Sequence, residues 1–492
     1  MRECGVLLPI SSLPSKFGVG CFSKEAYEFV DFLRDAGQKR WQILPMGPTG
    51  YGDSPYQSFS TFAGNPYFID LGRLVSEGLL SWEECDRCDF GEREDRVDYE
   101  KVYANRFPLL HMAYERFRAR REEGYDRFVK EQEFWLEDYC LYMAIKNQQG
   151  GKPWNEWKPA LRDRQPEALE EAKRCCWEDI EFYRFQQYEF FKQWNDLHSY
   201  ANRNGIRIIG DLPIYVAFDS ADTWSMPKLF QFTEDHKPKA VAGCPPDGFA
   251  ATGQLWGNPV YDWEYHRSTG YAWWIQRVKS CLKMFDTLRI DHFRGFDEYY
   301  MIPYGHPTAA HGVWEKGPGI ELFQAIWEAI GKADIIAEDL GFLTESVLKL
   351  LKDSGYPGMK VLQFAFDSRE SSEYLPHTYT PNCVVYTGTH DNDTTLGWFL
   401  KASKECRQFA REYLHKDAFD IDTLTWDFIA AAMGSVAELC MIPIQDYLGL
   451  DSEARINTPS TAGGNWSWRL RPGQIPEGLA EKMKAMARLY GR

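Results

Sequence analysis

Four short apolar runs, each carrying a carboxylate at or near its end, decide the fold: IRIIGDLPIYV (206–216), TLRIDHFRG (287–295), DIIAEDLG (334–341) and CVVYTGTHDND (383–393). Each run is rich in β-branched and aliphatic residues and is too short for a helix, as is typical of a buried parallel strand. A carboxylate at the end of such a strand is costly to bury unless it is paired or used. On strands that alternate with helices, the four carboxylates would meet at one mouth of a (β/α)8 barrel, where enzymes of this fold keep their active sites.

The strand pattern extends in both directions from these runs. Strands are predicted at 5–10, 40–44, 206–211, 287–291, 334–338, 359–364, 383–387 and 439–444. Helical patterns precede or follow most of them, at 23–36, 272–284, 320–332, 345–353 and 423–437. This alternation favours an α/β fold with a parallel (β/α)8 barrel, although the pattern alone leaves a doubly wound open sheet possible.

Uneven spacing of the strands predicts inserted subdomains. The gap between the second and third strands is far too long for one crossover, and its part at 76–178 is charged and helical in pattern, which predicts an inserted helical subdomain. A second insertion is expected at 218–271. It contains the Gly-rich loop 243–259, which either closes over a cleft or packs as an ordinary surface loop. One catalytic barrel over 1–492, without a C-terminal β-sandwich, is therefore expected.

Composition restricts the class of protein. The net charge of −16 argues against a nucleic acid or an anionic membrane as partner. No segment resembles a signal peptide or reaches the length of a membrane span. The twelve scattered cysteines, with Cys175 and Cys176 adjacent, predict reduced thiols in a cytoplasmic protein, and Cys85-x-x-Cys88 alone is a weak zinc signal.

Aromatic side chains make up 15% of the chain, with 18 Trp, 27 Tyr and 31 Phe. Large flat side chains suit the apolar faces of sugar rings, and a large aromatic core would explain the excess equally well.

Asp291 and Glu338 end neighbouring predicted strands, as the two carboxyl groups of a retaining glycosidase require. Arg289 points the same way as Asp291 at strand spacing, so its charge is expected to keep Asp291 ionised as a nucleophile. Glu338 has Asp339 beside it, and a partly desolvated carboxyl near other acids has the raised pKa of a general acid. The alternative is a structural Asp291–Arg289 ion pair with Glu338 capping a helix.

His390 and Asp391 follow the seventh predicted strand. A carboxylate and an imidazole bind neighbouring sugar hydroxyls well, so the pair is expected to hold the sugar at the reacting centre. A metal site that includes His292 is the alternative.

Several motifs together resemble the 4-alpha-glucanotransferases (amylomaltases or disproportionating enzymes), glycoside hydrolase family 77 of the alpha-amylase clan. They are RIDHFRG, AEDLG, THDND, GDLPIYV, SSLPSKFGVG, DSPYQSFSTFAGNPYFIDL, PPDGFAATGQLWGNPVYDW and RINTPSTAGGNWSWR. The resemblance covers essentially the whole chain except the helical insertion. Ser460 departs from it, because Gly is expected after NTP.

The resemblance implies Asp291 as nucleophile, Glu338 as general acid/base and Asp391 as transition-state stabiliser. It further implies substrate binding by Tyr56, Asp211, Asp247, Gln254, Trp256, Arg289 and His390. The expected reaction is a retaining transfer of an α-1,4-glucan segment to the 4-hydroxyl of an acceptor, with maltooligosaccharides and α-1,4-glucans as partners and no metal or organic cofactor. A hydrolase on the same scaffold, a non-catalytic glucan-binding protein and a metal-dependent barrel enzyme are the alternatives.

Overall fold

The computed structural model describes residues 2–50, 52–120, 122–246, 251–341, 343–366, 372–418, 420–461 and 463–492, apart from the side chain of Glu123. Its strands, in chain order, are β1 (Glu3–Leu7), β2 (Arg40–Gln42), β3 (Arg207–Leu212), β4 (Ala240–Cys244), β5 (Gln254–Pro259), β6 (Thr287–Ile290), β7 (Glu298–Pro303), β8 (Val313–Lys316), β9 (Ile335–Ala337), β10 (Gly358–Val361), β11 (Cys383–Tyr386) and β12 (Leu439–Pro443).

Eight of these strands form a closed parallel barrel in the order β1-β2-β3-β6-β9-β10-β11-β12, with β12 paired back onto β1. The predicted (β/α)8 barrel is confirmed. In the register of the barrel, Ile290 of β6 lies opposite Leu212 of β3 and Ala337 of β9. The residues that follow these positions therefore emerge side by side at the carboxyl ends of the strands.

Each predicted barrel strand overlaps an observed one, but several predictions run too far toward the mouth. The strand predicted at 359–364 ends at Val361, because residues 362–366 turn into a 3₁₀ helix. The strand predicted at 5–10 ends at Leu7, shortly before Pro9. Proline lacks the N–H that would continue the ladder.

The α-helices lie at Lys24–Asp35, Leu71–Ser76, Trp82–Asp86, Tyr99–Arg118, Glu123–Glu131, Glu133–Gln148, Pro159–Arg162, Pro166–Cys175, Trp177–Arg203, Ala221–Ser225, Trp263–Ser268, Ala272–Met284, Ile320–Ile330, Glu345–Ser354, Thr395–Lys401, Lys404–Tyr413, Leu424–Gly434, Ile444–Tyr447 and Leu479–Leu489. Among the described residues, no helix is long and apolar enough to cross a membrane.

The region 76–178 is helical, and its aromatic stripes are buried. Tyr139 and Tyr142 of helix Glu133–Gln148 pack in a hydrophobic cluster that also contains Trp154 and Trp224. Periodic aromatic residues on a helix are thus used for packing here. The treatment of this region as a separate subdomain remains a prediction.

A four-stranded antiparallel sheet, in the order β5-β4-β7-β8, lies beside the barrel and was not predicted. Part of the expected loop 243–259 belongs to it, because Gln254–Pro259 forms β5 and pairs with β4. The strand β7 begins shortly after the 3₁₀ turn Phe293–Phe296 that leaves β6. This connection holds the β4–β5 hairpin close to the mouth of the barrel.

Candidate active site

Strand register brings the charged groups of β3, β6 and β9 together. Asp211 lies opposite Arg289 in the ladder, and Arg289 Nη1 donates to both carboxylate oxygens of Asp211 at 2.7 Å. The other nitrogen, Nη2, donates to Asp291 Oδ1 at 3.0 Å. The backbone N–H of Glu338 donates to Ile290 O at 3.0 Å, which keeps Glu338 in the ladder beside Asp291.

The carboxyl group of Glu338 is buried and receives two backbone N–H groups. His292 donates to Oε2 at 2.6 Å and Leu340 donates to Oε1 at 2.9 Å. These two bonds favour the ionised form, but burial raises the pKa of Glu338 and the negative charge of Asp291 raises it further. Glu338 therefore has the protonation behaviour that a general acid requires.

The neighbour that raises the pKa of Glu338 is not Asp339, the one expected from the sequence. The side chain of Asp339 turns away from the site, and its Oδ1 accepts a hydrogen bond from the backbone N–H of Met359 at 2.7 Å. Successive residues of a strand point to opposite faces, so adjacency in sequence separates Glu338 from Asp339. The carboxylate that raises the pKa of Glu338 is Asp291, on the neighbouring strand.

Several opposing effects set the pKa of Asp291, and burial is the largest of them. Burial raises the pKa of Asp291 above its ordinary value, and the charges of Asp211 and Asp391 raise it further. Arg289 lowers this pKa, as predicted from its position at strand spacing, but its effect is smaller than the effect of burial. The geometry explains the difference, because Arg289 divides its charge between Asp291 and Asp211.

Tyr56 joins the cluster to the residues after β11. Its hydroxyl donates to Asp211 Oδ2 at 2.6 Å and lies 2.8 Å from His390 Nε2, while its ring stacks on the imidazole with centroids 5.4 Å apart. His390 Nε2 is in turn 3.4 Å from Asp391 Oδ2. A continuous chain of polar contacts therefore runs from the Asp291 carboxylate through Arg289, Asp211, Tyr56 and His390 to Asp391.

The β4–β5 hairpin places Trp256 beside His292, at the mouth of the barrel. The Trp256 ring packs edge-to-face on His292, with centroids 4.8 Å apart, and its Nε1 donates to Gln254 Oε1 at 3.1 Å. Gln57 Nε2 donates to Asn258 Oδ1 at 3.1 Å and so ties this strand to the segment that carries Tyr56. Asp247, the remaining predicted site residue, lies outside the described residues.

Two residues of the C-terminal motif also contribute to the site and were not predicted. Asn457 Nδ2 donates to Asp391 Oδ1 at 2.6 Å, and the Trp466 ring lies 5.8 Å from Tyr56 and 6.1 Å from His390. Both residues belong to the motif RINTPSTAGGNWSWR, which shows no chemical pattern by itself. Its location after the last barrel strand, at the same mouth, was the available signal.

The structure bears on two further expectations from the sequence, the glycine expected at position 460 and the metal alternative. Ser460 has a positive φ of 64°, a conformation that glycine adopts without strain, which gives a physical reason for the glycine expected there. For the metal alternative, no group of three or more His, Cys, Asp or Glu side chains within the described ranges is arranged to hold a metal ion.

Comparison with known proteins identifies the family. The family model described as 4-alpha-glucanotransferase matches residues 8–475. The 4-alpha-glucanotransferase of Clostridium butyricum is 48% identical over 485 residues, with 98% of this chain and 99% of that protein covered. The Thermus thermophilus 4-alpha-glucanotransferase is 47% identical over 495 residues, with coverages of 99% and 98%.

A solved structure agrees over the whole length. The amylomaltase from Streptococcus agalactiae, in complex with acarbose, superposes with a TM-score of 0.97 at 42% identity and covers 100% of both chains. From the matching family model, the full-length relatives and the gathered carboxylates, we conclude that the chain belongs to the 4-alpha-glucanotransferases of glycoside hydrolase family 77.

Proposed function

We propose that this chain transfers a segment of an α-1,4-glucan to the 4-hydroxyl of an acceptor glucan or glucose with retention of configuration. In this proposal Asp291 is the nucleophile, Glu338 the general acid/base and Asp391 the stabiliser of the transition state. The observation that carries the assignment is the pairing of Asp291 and Glu338 at the ends of neighbouring strands, with the charge of Asp291 raising the pKa of Glu338. One ionised and one protonated carboxyl is the state from which a retaining reaction begins.

The first step forms a covalent glycosyl-enzyme. An ionised Asp291 attacks the anomeric carbon while Glu338 gives its proton to the departing glycosidic oxygen. Once the leaving sugar departs, Glu338 is ionised, and its two backbone donors, His292 and Leu340, stabilise that form. Glu338 then removes the proton of the incoming 4-hydroxyl, and the acceptor displaces Asp291.

Substrate recognition is assigned to both sides of this pair. Arg289, Asp211, Tyr56 and His390 form the polar chain on the donor side, and we propose that Trp256, with Gln254 and Asp247, binds the acceptor. The complex of the Streptococcus agalactiae relative with acarbose supports α-glucan oligosaccharides as ligands of this chain. We also propose a cytoplasmic location, which the free thiols at the adjacent positions Cys175 and Cys176 support.

Azide rescue tests the two catalytic roles. An α-glycosyl fluoride donor is given to Glu338→Ala and to Asp291→Ala in the presence of azide. With Glu338→Ala, azide takes the place of the acceptor on the glycosyl-enzyme, and an α-glycosyl azide is expected. With Asp291→Ala, azide takes the place of the nucleophile, and the β-glycosyl azide is expected. The reverse pair of products would exchange the two roles, and no azide product from either variant would refute the mechanism.

Incubation with maltotriose tests whether the main acceptor is a sugar or water. Transfer conserves the number of glycosidic bonds, so glucose and longer maltooligosaccharides should appear while total reducing ends stay nearly constant. A steady rise of reducing ends, with glucose and maltose as final products, would indicate water as the main acceptor.

A further inference from the structure

The carboxylate of Asp391 is the most exposed of the three proposed catalytic acids. Its side chain is 44% exposed, compared with 28% for Asp291. A carboxylate this open to water rotates freely about its χ angles unless a neighbour holds it. A group that stabilises a transition state must already be oriented before the charge develops, because reorientation during the reaction costs free energy.

The contact that holds Asp391 comes from the segment 455–457, far away in sequence. Asn457 Nδ2 donates to Asp391 Oδ1 at 2.6 Å. The orientation of the amide follows from chemistry, since a carboxylate oxygen only accepts and the NH₂ group must therefore face it. The other oxygen, Oδ2, is left on the side of His390, at 3.4 Å from Nε2.

The same segment also forms hydrogen bonds to the backbone carbonyl groups of His390 and Asp391. Arg455 Nη2 donates to Asp391 O at 2.7 Å, and the backbone N–H of Asn457 donates to His390 O at 3.1 Å. Arg455 Nε donates to Asn457 O at 2.7 Å, which closes the segment on itself. The buried side chain of Ile456 anchors it in the core.

We infer that Asn457 is the positioning residue of the transition-state stabiliser: its amide fixes the carboxylate of Asp391 in the orientation that the reaction uses. The inference rests on the role proposed for Asp391. In this inference Asn457 affects catalysis through Asp391 and does not itself contact the reacting atoms. The effect of Asn457 is on the transition state, so its loss lowers kcat more than it changes KM.

The test is Asn457→Asp, which keeps the shape of the side chain and removes its donor. Loss of a hydrogen bond to a charged group predicts a fall in the kcat of maltotriose disproportionation of about ten- to a hundredfold. The chain offers a matched control in Asn465→Asp. Among the described residues, the side chain of Asn465 bonds to Thr458 and Thr461 and not to Asp391, so this variant is expected to keep the parent kcat.

A pH series separates positioning from mere packing. The carboxyl that Asn457→Asp introduces faces another carboxylate, which raises the pKa of the introduced group. At low pH this group is protonated, and its O–H donates to Asp391 Oδ1 as the amide did. The ratio of variant to parent kcat therefore should rise as the pH falls, while Asn457→Ala, which has no donor at any pH, should give a low and constant ratio.

Three results would overturn the inference: parent-like kcat in Asn457→Asp, a deficit of the same size at every pH, or a change in KM alone. Circular dichroism of each variant establishes that the fold is retained, and Asn457→Ala provides a second measurement of the donor's loss. The role of Asp391 is tested separately by Asp391→Asn. If Asp391→Asn is inactive and Asn457→Asp is normal, the inference fails while the proposed function stands. If Asp391→Asn is active, the proposed function itself fails.

Discussion

At the scale of single residues, hydrogen bonds join the side chains of this site to one another. Tyr56 is the clearest case, because the resemblance to the family implied only substrate binding and the structure adds two polar contacts within the protein. Its one hydroxyl proton goes to Asp211, a carboxylate that already accepts from Arg289. The oxygen of Tyr56 therefore accepts from His390 Nε2, which places the imidazole proton on that nitrogen.

The prediction for Tyr56→Phe follows from this pattern. The variant keeps the ring and loses the bonds to Asp211 and His390, so kcat is expected to fall about tenfold or more while KM changes little. Tyr413→Phe is the control, because Tyr413 also contacts a histidine, His377 at 3.1 Å, on an exposed surface. Equal kcat in Tyr56→Phe and the parent would leave stacking as the whole role of Tyr56.

The raised pKa of Glu338 also predicts how stability changes with pH. Since burial and the charge of Asp291 raise this pKa in the folded state, the folded protein binds the proton more tightly than the unfolded chain. The stability that results is present below the unfolded pKa of about 4.3 and is lost as the pH rises through the folded pKa. Glu338→Gln removes this loss, so the Tm of the variant relative to the parent should increase from pH 5 to pH 8. Melting curves that keep a constant difference in Tm across this range would contradict the assignment.

At the scale of elements, the antiparallel sheet positions Trp256, the residue proposed to bind the acceptor. The strand β5 is an edge strand, and it carries Trp256 toward His292 while its neighbour Leu255 is 41% exposed. The strand β5, rather than a free loop, therefore holds Trp256 beside His292. The backbone N–H of His292 donates a hydrogen bond to Glu338.

Trp256→Ala is expected to weaken transfer more than bond cleavage, because the acceptor loses its platform while Asp291 and Glu338 remain. The measured quantity is the ratio of longer oligosaccharides to new reducing ends from maltotriose. Leu255→Ala is the control on the same strand and should leave the ratio unchanged. An unchanged ratio in Trp256→Ala would show that Trp256 only packs.

The turn at Ser460 carries a prediction about stability alone. A non-glycine residue at a φ of 64° is strained, so Ser460→Gly should increase the free energy of unfolding by up to about 1 kcal/mol. Gly463→Ala, at a φ of 80°, should have the opposite effect. Both are read from the midpoint of denaturant unfolding, and a loss of stability in Ser460→Gly would refute the strain argument.

At the scale of the whole molecule, a buried charged group joins the helical region to the barrel. Asp219, in the segment after β3, accepts hydrogen bonds from Tyr142 and Lys146 of helix Glu133–Gln148. Lys146 is almost fully buried there, with 8% of its side chain exposed. The helical region is thereby joined to the segment that follows directly after β3, the strand that carries Asp211.

Asp219→Ala should destabilise the protein by about 3 kcal/mol, because it leaves the Lys146 ammonium buried without its charge partner. Addition of Lys146→Met to this variant should restore much of the loss. The measurement is urea unfolding of the two variants and the parent. A double variant that is no more stable than Asp219→Ala would argue against the uncompensated charge as the cause.

Some features of the fold and the site could be predicted from the sequence, and others could not. Asp211, Asp291 and Glu338 were predictable because they end apolar runs with a clear strand pattern. The sheet of β4, β5, β7 and β8 was not, since Gly or Pro interrupts β4 and β5, and β8 is exposed and has no apolar run. Asn457 was not predictable from pattern either, because its partner Asp391 is distant in sequence and the contact depends on how the chain returns after β12.

Closure of the barrel has a consequence for the synthesis of the chain. The strand β1, at Glu3–Leu7, pairs with β12, at Leu439–Pro443, which is synthesised long after it. At translation rates of about 5–20 residues per second, β1 waits roughly 20 to 90 s for this partner after it leaves the ribosome. During that time one hydrogen-bonding edge of a hydrophobic strand has no neighbour, and such edges are templates for aggregation. The yield of the folded enzyme should therefore depend on the chaperones that shield nascent chains, even though the finished barrel has no open edge.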